Sequence, residues 1–413
     1  MKLLFIGEAV TLAHVVRPLA LAGSLSPFDY DITFACDPRR RGLVDATMLA
    51  YRPLESIPSE TFLERVAGAR MLYTARELAE YVRADLDLLA ETDPDVVVGD
   101  FRLSLGISAE LHGVPYFCLG NLHWSHSLNL PCPVPEHPLV RILGVEGMRR
   151  FLRYSLPMYF NRQVKAFNRL RRSVGLAGLE TDGKPVPFTY GSRTLYLDVP
   201  ELYGAGELSD TEHCIGPVHW SPCMDLPEWW DGVGRDRPMV FVSPGSSGSP
   251  RAARTVIDAL AGFDVDLVVA TAGRMDASAL PAGVRSADFI PGRAAAERAS
   301  LIVCNGGSGM VYQALAAATP VLGIPSNIDQ YYVMEAVERI GAGALVRAGR
   351  VTRDRVAIAA AELLTNPARA RAAGEMRDAI RRYDPAERFV KVLGSILPDT
   401  GYSSSRARYI AQR

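Results

Sequence analysis

The feature that most constrains this sequence of 413 residues is a repeated alternation of short apolar runs with longer helical patterns. In the first half, the apolar runs are residues 3–6, 32–35, 96–98, 116–119 and 194–197. Helical patterns such as 74–92 and 103–112 separate them. This βα alternation predicts an α/β fold with a mostly parallel, doubly wound sheet, whose right-handed crossovers place helices on both faces.

The same pattern restarts after a break. Residues 214–217 lead into a stretch rich in Pro and Trp, and further apolar runs follow at 239–242, 267–271, 286–290, 301–304, 320–324 and 344–346. A single core rarely grows beyond roughly 250–300 residues, so two domains are expected. We predict an N-terminal domain (1–217), a linker (218–237) and a second domain (238–385). We also predict a C-terminal helix that packs back on the N-terminal domain, with a mobile tail (386–413). Two such domains bind ligands between their facing carboxyl edges.

Composition excludes several classes of protein. The formal net charge of -1 gives no general attraction to nucleic acid. The six cysteines form no CxxC pair or zinc spacing, which favours a reducing, cytoplasmic location and no metal. No window approaches the roughly 18 apolar residues of a membrane-spanning helix. The first run resembles a strand more than a signal peptide, because it is short and Glu8 interrupts it.

Two loops of the second domain have the composition of an anion site. Residues 304–310 are rich in glycine, follow a predicted strand and precede a helix, so free N–H groups face an incoming ligand. Residues 243–249 follow the first strand of the same domain and add hydroxyl groups. Two loops at one sheet edge favour a diphosphate. The alternatives are a tight turn for the first loop and a flexible loop for the second.

Asp329 and Gln330 follow another strand of this domain. A carboxylate beside an amide supplies the acceptors and donors that sugar hydroxyls need. The alternative is a helix N-cap followed by a surface residue.

Together these motifs resemble the donor-binding signature of family 1 glycosyltransferases, especially bacterial enzymes that decorate natural products. The family pattern is a strand, a Pro-containing turn, a helix, HxGxGTxxEAL, a valine-rich strand, Pro and DQ. The matching residues are Phe289-Ile290-Pro291-Gly292, Asn305-Gly306-Gly307-Ser308-Gly309-Met310, Gln313-Ala314-Leu315, Pro320, Pro325 and Asp329-Gln330. The resemblance implies a GT-B fold, in which two Rossmann-like domains face each other across a cleft.

The resemblance also implies a donor site for a nucleoside-diphosphate sugar, which is a co-substrate, with no further cofactor. In such a site Phe289 and Ile290 would contact the base, and Asp329 and Gln330 would hold the sugar. The diphosphate would be held by Ser246, Ser247, Gly307, Ser308 and Gly309. Asn305 stands where the family has a phosphate-contacting His, and Gln313 where it has a ribose-contacting Glu. The choice between UDP and dTDP stays open.

Inverting transfer needs a base facing the cleft. His14 follows the first strand and resembles the family's base, and Asp100 ends a neighbouring strand and resembles the family's residue that orients it. The alternatives are helix capping for each residue and simple exposure for His14. No divalent metal is expected, because Asp264 and Asp266 lead into a strand, and helical residues two apart, such as Asp85 and Asp87, face different directions.

The acceptor side is less defined. By the resemblance, residues 121–172 line the acceptor pocket, with His123, Trp124 and His126 as contacts. Residues 148–172 carry eight basic side chains among aromatic ones. Besides an acceptor wall, this segment fits two solvated helices with an apolar core stripe, or a basic amphipathic helix lying on anionic lipid.

Other functions remain open. A nucleotide-sugar epimerase shares the fold and would change the sugar without an acceptor. A non-catalytic partner protein would agree with Asn305 and Gln313. A transferase that acts on a lipid acceptor is a third alternative. The small-molecule partners are a nucleotide sugar and an acceptor, and the chain is expected to be a monomer or a homodimer.

Overall fold

The computed structural model describes residues 1–222, 224–245 and 248–396. The predicted donor residues Ser246 and Ser247, and the tail predicted to be mobile, lie outside the described residues. The first half forms a parallel sheet with the strand order β3-β2-β1-β4-β5-β6-β7. Its strands are β1 (Lys2–Gly7), β2 (Asp31–Cys36), β3 (Ala50–Pro53), β4 (Val96–Asp100), β5 (Tyr116–Gly120), β6 (Arg193–Tyr196) and β7 (Glu212–Cys214).

Helices connect these strands. They are α1 (Ala13–Gly23), α2 (Arg41–Asp45), α3 (Ser59–Ala67), α4 (Ala75–Thr92), α5 (Leu105–His112), α6 (Val140–Ser173) and α7 (Pro200–Tyr203). Local sequence fixes several ends. Thr74 and Glu77 form a reciprocal capping box at the start of α4, and Gly113 ends α5 in the left-handed conformation.

The second half forms a parallel sheet with the order β10-β9-β8-β11-β12-β13. Its strands are β8 (Met239–Ser243), β9 (Asp266–Ala270), β10 (Arg285–Ala287), β11 (Ala299–Cys304), β12 (Val321–Gly323) and β13 (Gly343–Leu345). The helices are α8 (Pro250–Leu260), α9 (Gly292–Arg298), α10 (Ser308–Ala316), α11 (Ile328–Arg339), α12 (Arg353–Thr365), α13 (Pro367–Ile380) and α14 (Pro385–Gly394). Two doubly wound parallel sheets confirm the predicted fold class.

The last helix crosses back to the first sheet. The ring of Phe389 on α14 lies 5.9 Å from the rings of both Phe5 and Phe117, and Leu393 is buried in the same core. The last described helix therefore packs on the N-terminal domain.

Some elements differ from the sequence-based expectation. Strand β10 ends at Ala287, three residues early, because Asp288 turns away to accept hydrogen bonds from Thr271 and Ala272. Helix α11, which the sequence pattern places at 333–340, begins five residues earlier, at Ile328, because Asn327 caps it. Residues 148–172 lie in one helix and not in two: α6 is interrupted only at Gly144, where φ is +67°.

Candidate active site

A buried carboxylate and an imidazole meet at the carboxyl edge of the first sheet. Asp100 is the last residue of β4 and pairs in register with Gly7, the last residue of β1. His14 lies in the first turn of α1, and its Nδ1 is 2.9 Å from Asp100 Oδ1. A Cβ at Gly7 would come within 2.9 Å of the Val15 Cα, so glycine is needed for this close approach of α1. The structure brings together the two residues predicted for the base and its partner.

Arg17 joins this pair from one helical turn further along α1. Its Nε and one Nη donate hydrogen bonds of 2.8 Å to the two oxygens of Asp100, and the other Nη donates to Asn121 Oδ1 at 2.7 Å. Burial raises the pKa of Asp100, but attraction to Arg17 and His14 outweighs it, so the pKa lies below its ordinary value. The carboxylate is therefore held ionised. Arg17 was not predicted, although its spacing of three from His14 places both on one helix face.

Aromatic rings continue from His14 towards the second domain. Phe101 stacks on His14 with ring centroids 4.7 Å apart, and its backbone has an unusual φ of +60°. Phe188 packs on Phe101 at 5.2 Å and on Trp124 at 5.7 Å, and Trp124 packs edge-on to Phe160 at 6.0 Å. We call Phe101, Trp124, Phe160 and Phe188 the aromatic cluster. Its rings, tilted or edge-on to one another, place an apolar surface beside His14, as an apolar ligand requires.

His123 reaches across the cleft and packs beside Trp124, with ring centroids 5.2 Å apart. Its side chain is buried, and its Nε2 lies 2.7 Å from Asp329 Oδ1 on α11, which also accepts a hydrogen bond of 3.2 Å from Trp124 Nε1. Burial raises the pKa of Asp329, but His123, Arg17 and Trp124 outweigh this effect and lower the pKa to about 2. Two predicted acceptor residues thus meet a predicted sugar-binding residue.

His126 lies elsewhere. Its Nδ1 is 4.0 Å from Asp182, its backbone carbonyl accepts a hydrogen bond from Lys184, and burial lowers its pKa. The structure does not bring His126 together with His14 or Asp329 in any contact among the described residues.

The glycine-rich loop after β11 shapes the start of α10. Gly307 is the N-cap residue of α10. Because it has no side chain, it makes no capping hydrogen bond to the first N–H groups of the helix. Gly306 has a φ of +81°, and a Cβ there would lie 2.5 Å from Met334 Cγ, so only glycine fits. Ser308 and Gly309 form the first turn. This geometry suits an anionic ligand.

Asn305 connects this loop to the neighbouring one. Its Oδ1 accepts a hydrogen bond from Gly307 N at 3.1 Å, and a Cβ on Gly245 would lie 3.0 Å from its Nδ2. The two glycine-containing loops therefore touch, as expected from the adjacent strands β8 and β11.

Gln313 is held by the linker. Its Oε1 accepts a hydrogen bond from Ser221 Oγ at 3.0 Å, and its Nε2 donates to the carbonyl of Trp220 at 3.2 Å. Of the two residues predicted to contact a base, Phe289 is 55% exposed, whereas the Ile290 side chain is in the core. Stacking on a base is therefore open to Phe289 only.

Asp329 and Gln330 have different roles although they are adjacent. Gln330 is buried and closes a capping box with Asn327: its Oε1 accepts a hydrogen bond of 3.4 Å from Asn327 N, and its N–H donates to Asn327 Oδ1. The same Oε1 also accepts a hydrogen bond of 2.9 Å from Ser326 N. The N-cap is thus Asn327 rather than Asp329. Only Asp329 points to the cleft at His123.

A polar chain joins the two halves behind the site. Asn121 Nδ2 donates to Asp198 Oδ2 at 3.3 Å, and Asp198 also accepts from Leu122 N and interacts with the hydroxyl of Tyr312 on α10. Arg17 and α10 are therefore linked through buried hydrogen bonds. Asn121 and Asp198 had no distinguishing signal in the sequence.

The described ranges offer neither a metal site nor a membrane span. Within 1–222, 224–245 and 248–396 no three His, Cys, Asp or Glu residues are grouped as a metal ion would need. Nor is any helix in those ranges long and apolar enough to cross a membrane.

The comparisons decide the family. Residues 254–393 match the family model of the Erythromycin biosynthesis protein CIII-like, C-terminal domain. A PGL/p-HBAD biosynthesis glycosyltransferase of Mycobacterium tuberculosis H37Ra is 43% identical over 381 residues, which cover 92% of this chain and 87% of the relative. The chain belongs to this glycosyltransferase family.

Other relatives of this glycosyltransferase widen the comparison. A PGL/p-HBAD biosynthesis rhamnosyltransferase of Mycobacterium bovis BCG is also 43% identical, over 92% of this chain and 84% of its own length. An inactive PGL/p-HBAD biosynthesis glycosyltransferase of the same organism is 42% identical over 64% of this chain and 72% of its own length.

Solved structures support the fold of the glycosyltransferase. The glycotransferase of kitacinnamycin aligns with a TM-score of 0.71 at 20% identity, over 96% of this chain and 99% of that one. Spinosyn rhamnosyltransferase SpnG complexed with thymidine diphosphate aligns with a TM-score of 0.69 at 18% identity, over 95% and 100%. These likenesses confirm the predicted GT-B fold.

Proposed function

We propose that this glycosyltransferase moves a sugar from a nucleoside diphosphate to an acceptor hydroxyl with inversion, and that His14 is the base. The contact of His14 Nδ1 with Asp100 at 2.9 Å carries the proposal. Because Nδ1 faces the carboxylate, Nε2 is the nitrogen left to take the proton. The hydroxyl oxygen then attacks the anomeric carbon, and the bond to the diphosphate oxygen breaks.

The start of α10 supports a diphosphate leaving group. The uncapped N–H groups after Gly307 are fixed before a ligand arrives, so they stabilise developing negative charge with little rearrangement. The proposed sugar contact is Asp329, which His123 and Trp124 hold in place. Gln330, whose side chain closes a cap, would instead stabilise the turn that presents Asp329.

The donor we propose is a thymidine diphosphate sugar. The oxygen and the nitrogen of the Gln313 side-chain amide already hydrogen-bond Ser221 and Trp220. This suits the deoxyribose of dTDP, which presents one hydroxyl fewer than the ribose of UDP. A rhamnosyltransferase among the relatives and a structural neighbour complexed with thymidine diphosphate agree with this choice. No step in this mechanism requires a metal ion.

The acceptor we propose is a planar, largely apolar molecule bound along the aromatic cluster. Phe101 and Phe188 lie between His14 and Trp124, so a flat acceptor stacked there would present a hydroxyl to His14. The relatives' part in PGL/p-HBAD biosynthesis makes acceptors of that pathway the first to test.

The test uses purified protein with dTDP- and UDP-linked sugars, with and without an aromatic acceptor. We expect a glycoside whose anomeric configuration is opposite to that of the donor, and faster turnover with dTDP. A product with the donor's configuration would refute inversion. A changed sugar without acceptor would instead show an epimerase.

A non-catalytic role is the second candidate, because Asn305 replaces a family His and an inactive relative exists. Tight donor binding without turnover, across acceptors of varied chemistry, would favour it.

A further inference from the structure

Helix α6 carries a segregated positive charge that the transfer reaction does not use. Between residues 147 and 173 there are eight Arg or Lys residues and no Asp or Glu, although the whole chain has a net charge of -1. Of these eight, Arg171 is buried and contacts Glu110. Arg149 and Arg150 pair with Glu146 one turn earlier on the same helix. Arg162, Lys165, Arg169 and Arg172 are exposed.

Large apolar side chains on the same helix are exposed to solvent. Phe151 is 49% exposed, Tyr154 73% and Met158 72%. Further along the helix, the residues on this face at the same spacing of three or four are cationic. We call it the α6 stripe, and it consists of Phe151, Tyr154, Met158, Arg162, Lys165 and Arg169. It is therefore a helical face with an apolar end and a basic end.

A groove of about 830 Å³ lies beside the basic end. Its cationic lining is Arg162, Lys165, Arg169 and Arg172, and Glu180 is its one acidic lining residue. Four cations around one concave surface suit a phosphate-bearing headgroup.

We propose that the α6 stripe docks this protein on a bilayer that contains anionic lipid. Phe151, Tyr154 and Met158 would enter the boundary between headgroups and acyl chains, while the cations contact lipid phosphates. Three apolar residues and then three basic ones follow one another at helical spacing along one exposed face. This arrangement matches an interfacial helix better than an acidic protein partner, which needs charge alone.

Docking would bring the acceptor side of the cleft close to the lipid. The opposite side of the same helix contributes Phe160, which packs on Trp124 in the aromatic cluster. A helix with its side chains is about 10–12 Å across, so the cluster lies about one helix diameter from the docked face. The docking itself does not depend on the transfer chemistry.

The experiment is co-sedimentation of the full chain, without substrates, with phosphatidylcholine vesicles and with vesicles that also contain phosphatidylglycerol. We expect binding to the anionic vesicles only, weakening as salt is raised. Phe151→Ser/Tyr154→Ser/Met158→Ser should abolish sedimentation. Arg162→Glu/Arg169→Glu should lower the partition by about fivefold for each cation removed.

The matched control is Ile358→Ser/Arg371→Glu, which changes one exposed apolar residue and one exposed cation on α12 and α13. It should sediment as the wild type does. Equal loss in the control, or equal binding to neutral vesicles, would overturn the proposal. The proposal would also be overturned if the wild type bound no vesicles. A dimer in solution that the apolar variant dissociates would overturn it too, because a second copy would then cover the stripe. Unchanged urea unfolding of each variant excludes misfolding.

Discussion

Arg17 donates two hydrogen bonds of 2.8 Å to the Asp100 carboxylate, while His14 Nδ1 lies 2.9 Å from one of the same oxygens. The carboxylate is thus shared between a permanent cation and a neutral or protonated imidazole. Arg17 fixes where Asp100 points, and Asp100 in turn fixes His14. The orientation of the proposed base therefore depends on Arg17, which is itself buried.

Removing the imidazole should stop the proton transfer but spare donor binding. We expect His14→Ala to lower kcat by about 10²–10⁴-fold, the usual contribution of a general base. Donor affinity measured by calorimetry should be unchanged, because the proposed donor contacts lie on the other domain. His112→Ala, at the exposed end of α5, is the control. Wild-type turnover in His14→Ala would refute the assignment.

Removing Arg17 should destabilise the fold as well as slow the reaction. Arg17→Ala leaves the buried Asp100 with His14 alone, and breaking a buried ion pair costs about 3–5 kcal/mol of unfolding free energy. Urea unfolding measures this loss. Arg76→Ala, in an exposed pair with Glu80, should leave stability as in the wild type. If Arg17→Ala unfolded at the wild-type urea midpoint, the stability of the fold would not depend on the ion pair between Arg17 and Asp100.

Gly309 offers a test of the diphosphate site that is independent of folding. A Cβ at Gly309 meets nothing within 4 Å, so Gly309→Ala should keep or raise the unfolding free energy. If a diphosphate lies at the start of α10, the added methyl group should weaken donor affinity about tenfold or more, that is by about 1.4 kcal/mol.

Gly374→Ala on α13 is its control, since a Cβ there is equally unobstructed. It should share the stability effect and leave donor affinity unchanged. Equal donor affinity in Gly309→Ala and wild type would place the diphosphate elsewhere.

The contact between His123 and Asp329 allows a test of whether His123 serves the donor or the acceptor. His123→Ala should raise KM for the donor more than KM for the acceptor, because it frees the Asp329 carboxylate from its 2.7 Å contact. His126→Ala should change neither constant, since His126 lies beside Asp182. A selective rise in the acceptor KM of His123→Ala would restore the acceptor role that the sequence suggested.

Glu212 gives a prediction for acid stability. Burial raises its pKa, but hydroxyl groups of Ser125, Ser127, Tyr196 and Ser209 outweigh this and lower it to about 2. The folded pKa is thus below the unfolded value of about 4.3, so the stabilisation is complete above that value and is lost as the pH falls towards 2.

Glu212→Gln should therefore lower the unfolding free energy at neutral pH, by up to about 3 kcal/mol at about 1.4 kcal/mol per pKa unit. It should also flatten the decline below about pH 4. Urea midpoints across this range measure both effects. Parallel curves for variant and wild type would show that Glu212 is not the titrating group.

Much of the site followed from sequence because its parts obey local rules. Strands β1 and β4 were recognisable as apolar runs, and parallel strands end at one edge, so His14 and Asp100 could be placed together. Gly306 is likewise explained by its positive φ and its contact with Met334. The edge strands β3 and β7 were missed, because their sequences, Ala-Tyr-Arg-Pro and Glu-His-Cys, contain no apolar run.

The amino-acid pattern by itself determined two doubly wound domains and a glycine-rich turn before α10, because periodicity and backbone freedom are local properties. The pairing of His14 with Asp100 was implied by the family resemblance and by their place at one sheet edge. Only the tertiary structure decided which groups share each carboxylate. Asp329 turns to His123, 206 positions away in sequence, while its neighbour Gln330 closes a helix cap. Adjacent residues on a helix point in different directions. What each side chain meets there depends on the packing of distant segments, which no local pattern encodes.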